Sequence, residues 1–119
     1  MMILLAHGSP KESWRDSVEG MVDSLQAEVG GIGVRLAYMG HMPPNLVEAI
    51  GQAVEEGADT IRVLPLFLTG EGHVTRDIRP MVEEARAIYG HVEVELLPAI
   101  GQHPLFRELL VRIAQETDE

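Results

Sequence analysis

Apolar positions along the 119-residue chain alternate between short unbroken runs and stretches of helical period, the pattern of strands followed by amphipathic helices. Ile3 to Ala6 reads as a short buried strand. Trp14, Val18, Met21, Val22, Leu25 and Val29 then recur at helical spacing, with Ser9 and Pro10 suited to the N-cap and first helical position and Gly30-Gly31 to the end. Ile32 to Met39 is the second strand, with Val34, Leu36 and Tyr38 on one face. Pro43-Pro44 precedes Asn45, which can cap a helix while Glu48 completes a capping box; Leu46, Ile50, Ala53 and Val54 form its inner face and Gly57 stops it. Thr60 to Leu68 is the third strand, too apolar on both faces for a sheet edge. A helix from about Thr75 to Tyr89 turns Ile78, Met81, Val82, Ala85 and Ile88 inward, which requires Pro80 to lie in the first turn or to displace the start. Val92 to Leu97 is the fourth strand. His103-Pro104 opens a last helix whose apolar residues are Leu105, Leu109, Leu110 and Ile113.

A βαβαβαβα order implies right-handed crossovers and an α/β fold, a doubly wound four-stranded parallel sheet with helices on both faces. The flavodoxin-like order 2-1-3-4 places the two most apolar strands, the first and third, at the centre. The expected organisation is a single domain over residues 1–119, since a chain of this length has room for one sizeable core.

Composition narrows the chemistry. No cysteine is present, which removes disulfides, thiolate nucleophiles, iron–sulfur ligation and Cys-type zinc sites. The formal net charge of -10 argues against a nucleic-acid partner, because phosphate backbones are bound chiefly by Lys and Arg. No apolar stretch is long enough for a membrane span. Met1-Met2 leads straight into a strand without a basic region or cleavage site, so a cytoplasmic location is expected.

His7 and His73 are the candidate chemistry. Each follows an apolar strand, in Leu4-Leu5-Ala6-His7-Gly8-Ser9 and in Pro65-Leu66-Phe67-Leu68-Thr69-Gly70-Glu71-Gly72-His73. In an open α/β sheet, ligands bind at the carboxyl ends of the strands where the order reverses. In the order 2-1-3-4 that point lies between the strands that precede these two loops. Imidazole serves there as a metal ligand or as a base near neutral pH. Either histidine alone is also compatible with a loop cap or a bond to a nearby carbonyl.

His7-Gly8-Ser9, Pro44-Asn45-Leu46-Val47-Glu48-Ala49-Ile50, Leu64-Pro65-Leu66-Phe67-Leu68, Gly72-His73-Val74, Asp77-Ile78 and Ile100-Gly101-Gln102-His103-Pro104 resemble the small CbiX-type sirohydrochlorin chelatases, over nearly the whole chain. The resemblance implies insertion of a divalent metal, cobalt or iron(II), with nickel a further candidate, into the tetrapyrrole sirohydrochlorin on the way to cobalamin or sirohaem. It implies no nucleotide, and a homodimer. His7 and His73 fall on the histidines that the family uses for metal binding and proton removal. Sirohydrochlorin carries carboxylates, so Arg76 and Arg79, with Ser9, Thr69, Gly70 and Gly72, are the candidate substrate contacts; Lys11 reads more simply as a solvated helix-start residue.

The chain departs from the family at two places, the smaller being Arg79 between Ile78 and Pro80 where relatives commonly follow Asp-Ile directly with proline. Relatives often carry a glutamate at the end of the second strand. Here the segment reads Tyr38-Met39-Gly40-His41-Met42-Pro43-Pro44, with Gly40 at that position. His41 is the candidate third metal ligand or base, and is equally compatible with a loop histidine that has no role. The alternative to a chelatase is a non-catalytic tetrapyrrole- or metal-binding protein on the same scaffold. A strand followed by His-Gly also occurs in histidine phosphatases, but those place an arginine directly before the histidine, and Ala6 stands there.

Overall fold

In a computed structural model, which describes residues 1–40, 42–69 and 73–116 with the side chains of 73–75 left aside, four parallel strands stand in the order β2-β1-β3-β4. The strands are β1 (Met2–Ala6), β2 (Val34–Tyr38), β3 (Thr60–Pro65) and β4 (Glu93–Leu96). The helices are α1 (Glu12–Val29), α2 (Leu46–Glu55), α3 (His73–Ile88) and α4 (Pro104–Gln115), with one 3-10 turn at Ile100–Gln102 before α4. The strand order is the one the apolar pattern predicts. Leu4 pairs with Leu36 on one side and Leu64 on the other, so β1 is fully enclosed and tolerates no polar side chain.

Strand alternation divides the apolar residues between two faces. Ile3, Leu5, Ala37, Ile61, Val63 and Val94 form one core with Leu46, Ala49, Ile50 and Ala53 of α2 and Ile78, Val82 and Ala85 of α3, all buried. α1 packs against β2, with Val22 buried and Trp14, Val18, Leu25 and Val29 half-buried. Met21 and Ile88 do not join their helices' inner faces, being 50% and 56% exposed. Each sits at the margin of its apolar stripe.

Local signals explain most element ends. Asn45 accepts the Glu48 N–H at 2.8 Å and the Glu48 carboxylate accepts the Asn45 N–H at 2.8 Å, the capping box expected from the sequence. The side chain of His103 accepts the Leu105 N–H at 3.1 Å and caps α4. Gln26 donates to the Ile32 carbonyl at 2.7 Å and accepts the Val34 N–H at 2.7 Å, so one α1 side chain fixes the turn into β2.

Several boundaries differ from expectation. α1 begins at Glu12, not at Pro10, because Ser9 Oγ accepts the Lys11 N–H at 3.2 Å and closes a separate turn first. The regular strands are shorter than the apolar runs: β3 ends at Pro65, and Phe67 continues inward beyond it. α3 begins at His73 rather than Thr75, which leaves Pro80 inside the helix instead of in its first turn. Pro80 lacks the N–H that would reach the Arg76 carbonyl. Both residues are exposed, so water can take that carbonyl while Ile78 and Val82 keep the helix on the sheet.

The largest difference concerns α4. Helices do not cover both faces evenly, because α4 makes its substantial contacts with the 3-10 turn alone and leaves Leu105, Leu109, Leu110 and Ile113 between 51% and 64% exposed. None of the described helices is long and apolar enough to cross a membrane.

Candidate functional site

The site is assembled at the carboxyl ends of β1, β2 and β3. His7 follows β1 directly and is exposed. Its ring meets Phe67, which follows β3, edge to face with centroids 4.5 Å apart and planes at 67°. Phe67 is 8% exposed and belongs to the core. A buried ring thus holds one face of the imidazole while the rest stays open to a ligand. The contact also shows that the loops leaving the two central strands meet, as the topological switch point requires.

The loop after β2 closes against the same histidine. The Gly40 N–H donates to the His7 carbonyl at 3.1 Å and the Met39 N–H to the Ala6 carbonyl at 2.8 Å, while the Tyr38 N–H reaches the Pro44 carbonyl at 2.9 Å. Gly8 makes this approach possible. Its φ is +88°, and a Cβ there would stand 2.1 Å from the Gly40 carbonyl oxygen. Only glycine satisfies both the positive φ and the close approach. A Cβ built on Gly40 meets nothing within 4 Å, so a side chain at that position has open space.

The remaining predicted residues fall into three groups. Ser9 is half-buried next to His7 and its Oγ already accepts the Lys11 N–H, which leaves its hydroxyl hydrogen to donate. Thr69 is exposed on the segment after Phe67, and Arg76 is exposed in the first turn of α3. Arg79 is exposed, and with Glu83, Arg86 and residues of β4 it lines a groove along the sheet edge. The Arg86 guanidinium donates to the Val94 carbonyl there at 2.6 Å. His41, Gly70 and Gly72 lie outside the described residues. His73 is placed by its backbone as the first residue of α3, a helix opening rather than the loop position expected. No cluster of three or more His, Asp or Glu residues suited to a metal ion occurs among the described residues.

Two contributors escape a reading of the sequence. Phe67 reads there only as another apolar residue of a strand, yet it is the surface against which His7 is set. Tyr38 is 3% exposed, lies 6.1 Å from the Trp14 ring, and its hydroxyl is buried without a hydrogen-bond partner among the described residues. Burial, helped by the nearby Glu19 carboxylate, raises its pKa above the ordinary tyrosine value. The spacing of Trp14 and Tyr38 on two different elements carries no signal of that contact.

The geometry has counterparts among known proteins. A sirohydrochlorin cobaltochelatase of Priestia megaterium is 28% identical over 120 residues, covering 99% of this chain and 38% of its own length. Another, from Sulfurisphaera tokodaii, is 26% identical over 115 residues and is covered over 91% of its length. The chain therefore spans less than two-fifths of the first relative and nearly all of the second. A solved structure from Marinobacter aquaeolei, described as a CbiX protein of cobalamin biosynthesis, superposes with a TM-score of 0.80 at 28% identity, over 96% of this chain and 92% of that one. The sirohydrochlorin chelatase SirB of Bacillus subtilis, solved with cobalt, shares the fold with a TM-score of 0.78 at 19% identity, over 95% of this chain and 49% of its own. The CbiX family profile matches residues 1–117, and with the sheet order and the loops around His7 that it accompanies, this chain belongs to the CbiX family.

Proposed function

We propose that the protein is a cytoplasmic sirohydrochlorin chelatase that inserts a divalent metal, cobalt or iron(II) with nickel a further candidate, into the tetrapyrrole without a nucleotide, in cobalamin or sirohaem biosynthesis. The observation that carries the reading is the seating of His7 on Phe67, which joins the loop after β1 to the segment that runs into His73. The relatives named as sirohydrochlorin cobaltochelatases supply the substrate class.

Insertion exchanges two pyrrole N–H protons for one M²⁺, so the site must hold a partly dehydrated cation and accept protons near neutral pH. Imidazole does both. In this reading His7 and His73 hold the ion, His41 is the third candidate ligand, and the imidazoles take the protons as the metal passes to four ring nitrogens. A pair of neutral nitrogen donors binds cobalt or iron(II) weakly enough to release it. Arg76 meets a substrate carboxylate, and Ser9, Thr69, Gly70 and Gly72 offer hydroxyl or backbone donors to others. Arg79, which lines the groove beside β4, is a further candidate contact for a substrate carboxylate. The active species in this reading is a homodimer.

The test is an absorbance time course of sirohydrochlorin with cobalt, iron(II) and nickel. His7→Ala and His73→Ala are each expected to reduce insertion to the spontaneous rate while the far-ultraviolet circular dichroism stays unchanged. Full activity of His73→Ala rejects the assignment. A second reading is a tetrapyrrole binder without catalysis: Gly40, whose N–H donates to the His7 carbonyl, stands where the family resemblance leads one to expect a glutamate. Tight tetrapyrrole binding with insertion no faster than spontaneous establishes that reading instead.

A further inference from the structure

Arg15 and Arg35 are the half-buried arginines among the described residues, and their surroundings differ. The Arg35 guanidinium donates to the Glu56 carboxylate and to the Gln52 side chain, so α2 neutralises it even though its Nε is unpaired. Arg15, at the end of the first turn of α1, has no such support. Its Nε is buried without a hydrogen-bond partner, and it enters none of the ion pairs among the described residues. Holding a guanidinium partly out of water without a counter-charge is costly, and packing alone gives no reason for it.

The same corner of the molecule holds a second unpaired group. The Tyr38 hydroxyl is buried with no hydrogen-bond partner among the described residues, and phenylalanine would fill that space without leaving a polar atom unsatisfied. The Tyr38 ring lies 6.1 Å from that of Trp14, the residue before Arg15. The charges of Arg15 and Glu19 both act on its hydroxyl. Tyr38 closes β2 and pairs in register with Ala6, the residue before His7. It therefore stands one strand, about 4.8 Å, from the backbone that leads into His7, at the same carboxyl end of the sheet.

We propose that Arg15 and the Tyr38 hydroxyl form a carboxylate subsite that takes one rim carboxylate of the tetrapyrrole seated over His7. This rests on the chelatase reading and adds where a substrate arm is held. A carboxylate supplies what both groups lack: its oxygens accept from the guanidinium and from the hydroxyl, and its charge offsets that of Arg15. No partner anchors the Arg15 side chain, so it can swing outward and admit the carboxylate. α1 lies against β2 and α3 against β4, so Arg15 grips the macrocycle on one side of the crevice while Arg76 on α3 meets it on the other. Glu19 is exposed and four residues from Arg15, the spacing of a helical ion pair, yet no such pair forms. Its charge opposes an anion at the subsite, which makes it an internal control.

Two titrations of the full chain test the subsite, with circular dichroism as the check on folding. In the first, sodium acetate is added at constant ionic strength and the Arg15 Nε–H signal is followed by NMR. A saturable shift is expected, and a smaller one in Tyr38→Phe. In the second, metal-free sirohydrochlorin is titrated by absorbance. Arg15→Gln is expected to bind it about tenfold more weakly and Tyr38→Phe about threefold, the loss of a charge-assisted and of a neutral hydrogen bond, whereas Glu19→Gln binds it more tightly. With cobalt added, Arg15→Gln and Tyr38→Phe should raise KM far more than they lower kcat. Weaker sirohydrochlorin binding in both folded variants upholds the proposal, even where acetate alone is too weak to register. Unchanged sirohydrochlorin affinity in both overturns it: with an acetate response the pair takes a free anion only, and without one it encloses a water only. A wild type that fails to bind sirohydrochlorin but responds to acetate overturns the chelatase reading and leaves the carboxylate subsite standing, and a wild type that responds to neither overturns both.

Discussion

Replacing Gly8 by alanine tests the site's architecture more directly than removing a ligand. The substitution leaves every predicted chemical group in place and adds one methyl group. Two costs arise. At φ +88° an L-residue occupies a sparsely populated region, at a cost of about 1–2 kcal/mol. The new Cβ also meets the Gly40 carbonyl oxygen at 2.1 Å, a backbone atom that cannot rotate away. Relief requires the loop after β2 to retreat, which gives up the Gly40-to-His7 hydrogen bond of 3.1 Å, a net loss of about 0.5–1.5 kcal/mol. The sum is roughly 1.5–3.5 kcal/mol, enough to lower the thermal midpoint by roughly 10 °C for a chain of this size. Urea unfolding should show a lower midpoint with an unchanged slope. Gly20→Ala is the control: it lies inside α1, its Cβ meets nothing within 4 Å, and it should stabilise by about 0.5–1 kcal/mol. A loss below about 0.5 kcal/mol for Gly8→Ala would refute the claim that the two loops are locked together there. Metallation slower than in wild type, measured where the variant is still folded, would show that the lock also sets His7.

Gly40→Glu should fold normally, because a Cβ there has open space, and should change the insertion rate or the preference among cobalt, iron(II) and nickel; identical kinetics would mean that a carboxylate at this position has no part in the reaction. Tyr38→Phe removes a buried hydroxyl without a described partner and should be neutral or stabilising near pH 7. Because the folded-state pKa of Tyr38 is raised, the unfolded chain loses that proton first. Stability is therefore complete below about pH 10 and falls as pH rises through the folded-state value, and denaturation midpoints of Tyr38→Phe should fall less steeply there than those of wild type. Asn45→Ala deletes one half of the capping box and should cost about 1 kcal/mol in a urea melt, with no loss of metallation measured where the variant is folded.

Where the candidate loops lie in the fold is largely legible along the chain. His7 and His73 each follow an apolar run, and the rule that ligands gather where parallel strand order reverses is enough to put their loops side by side. What the residues cannot convey is contact. Phe67 and Leu68 are neighbours in one apolar run, yet one is buried under His7 and the other is 73% exposed, because β3 ends at Pro65 and the alternation beyond it follows the loop. Arg76 and Arg79 look equivalent beside His73, but only the fold shows that Arg79 lines a groove with residues of β4. Ser9 looks like the α1 cap because its type suits the role; the chain forms a turn first, and no side chain caps α1 at Lys11.

Strand order, the capping box at Asn45 and the family motifs could be determined from the sequence by itself, since each depends on apolar period or on residues a few positions apart. The tertiary structure alone decided the approach of Gly8 to Gly40, the support of His7 by Phe67 and the outward path of α4. Those depend on where separate strands end relative to one another, a distance set by packing across the sheet. α4 makes the division plain: its apolar stripe is written in its sequence, but whether a surface of the same chain lies beneath it is settled by the turn that Gly101 clamps to the end of β3.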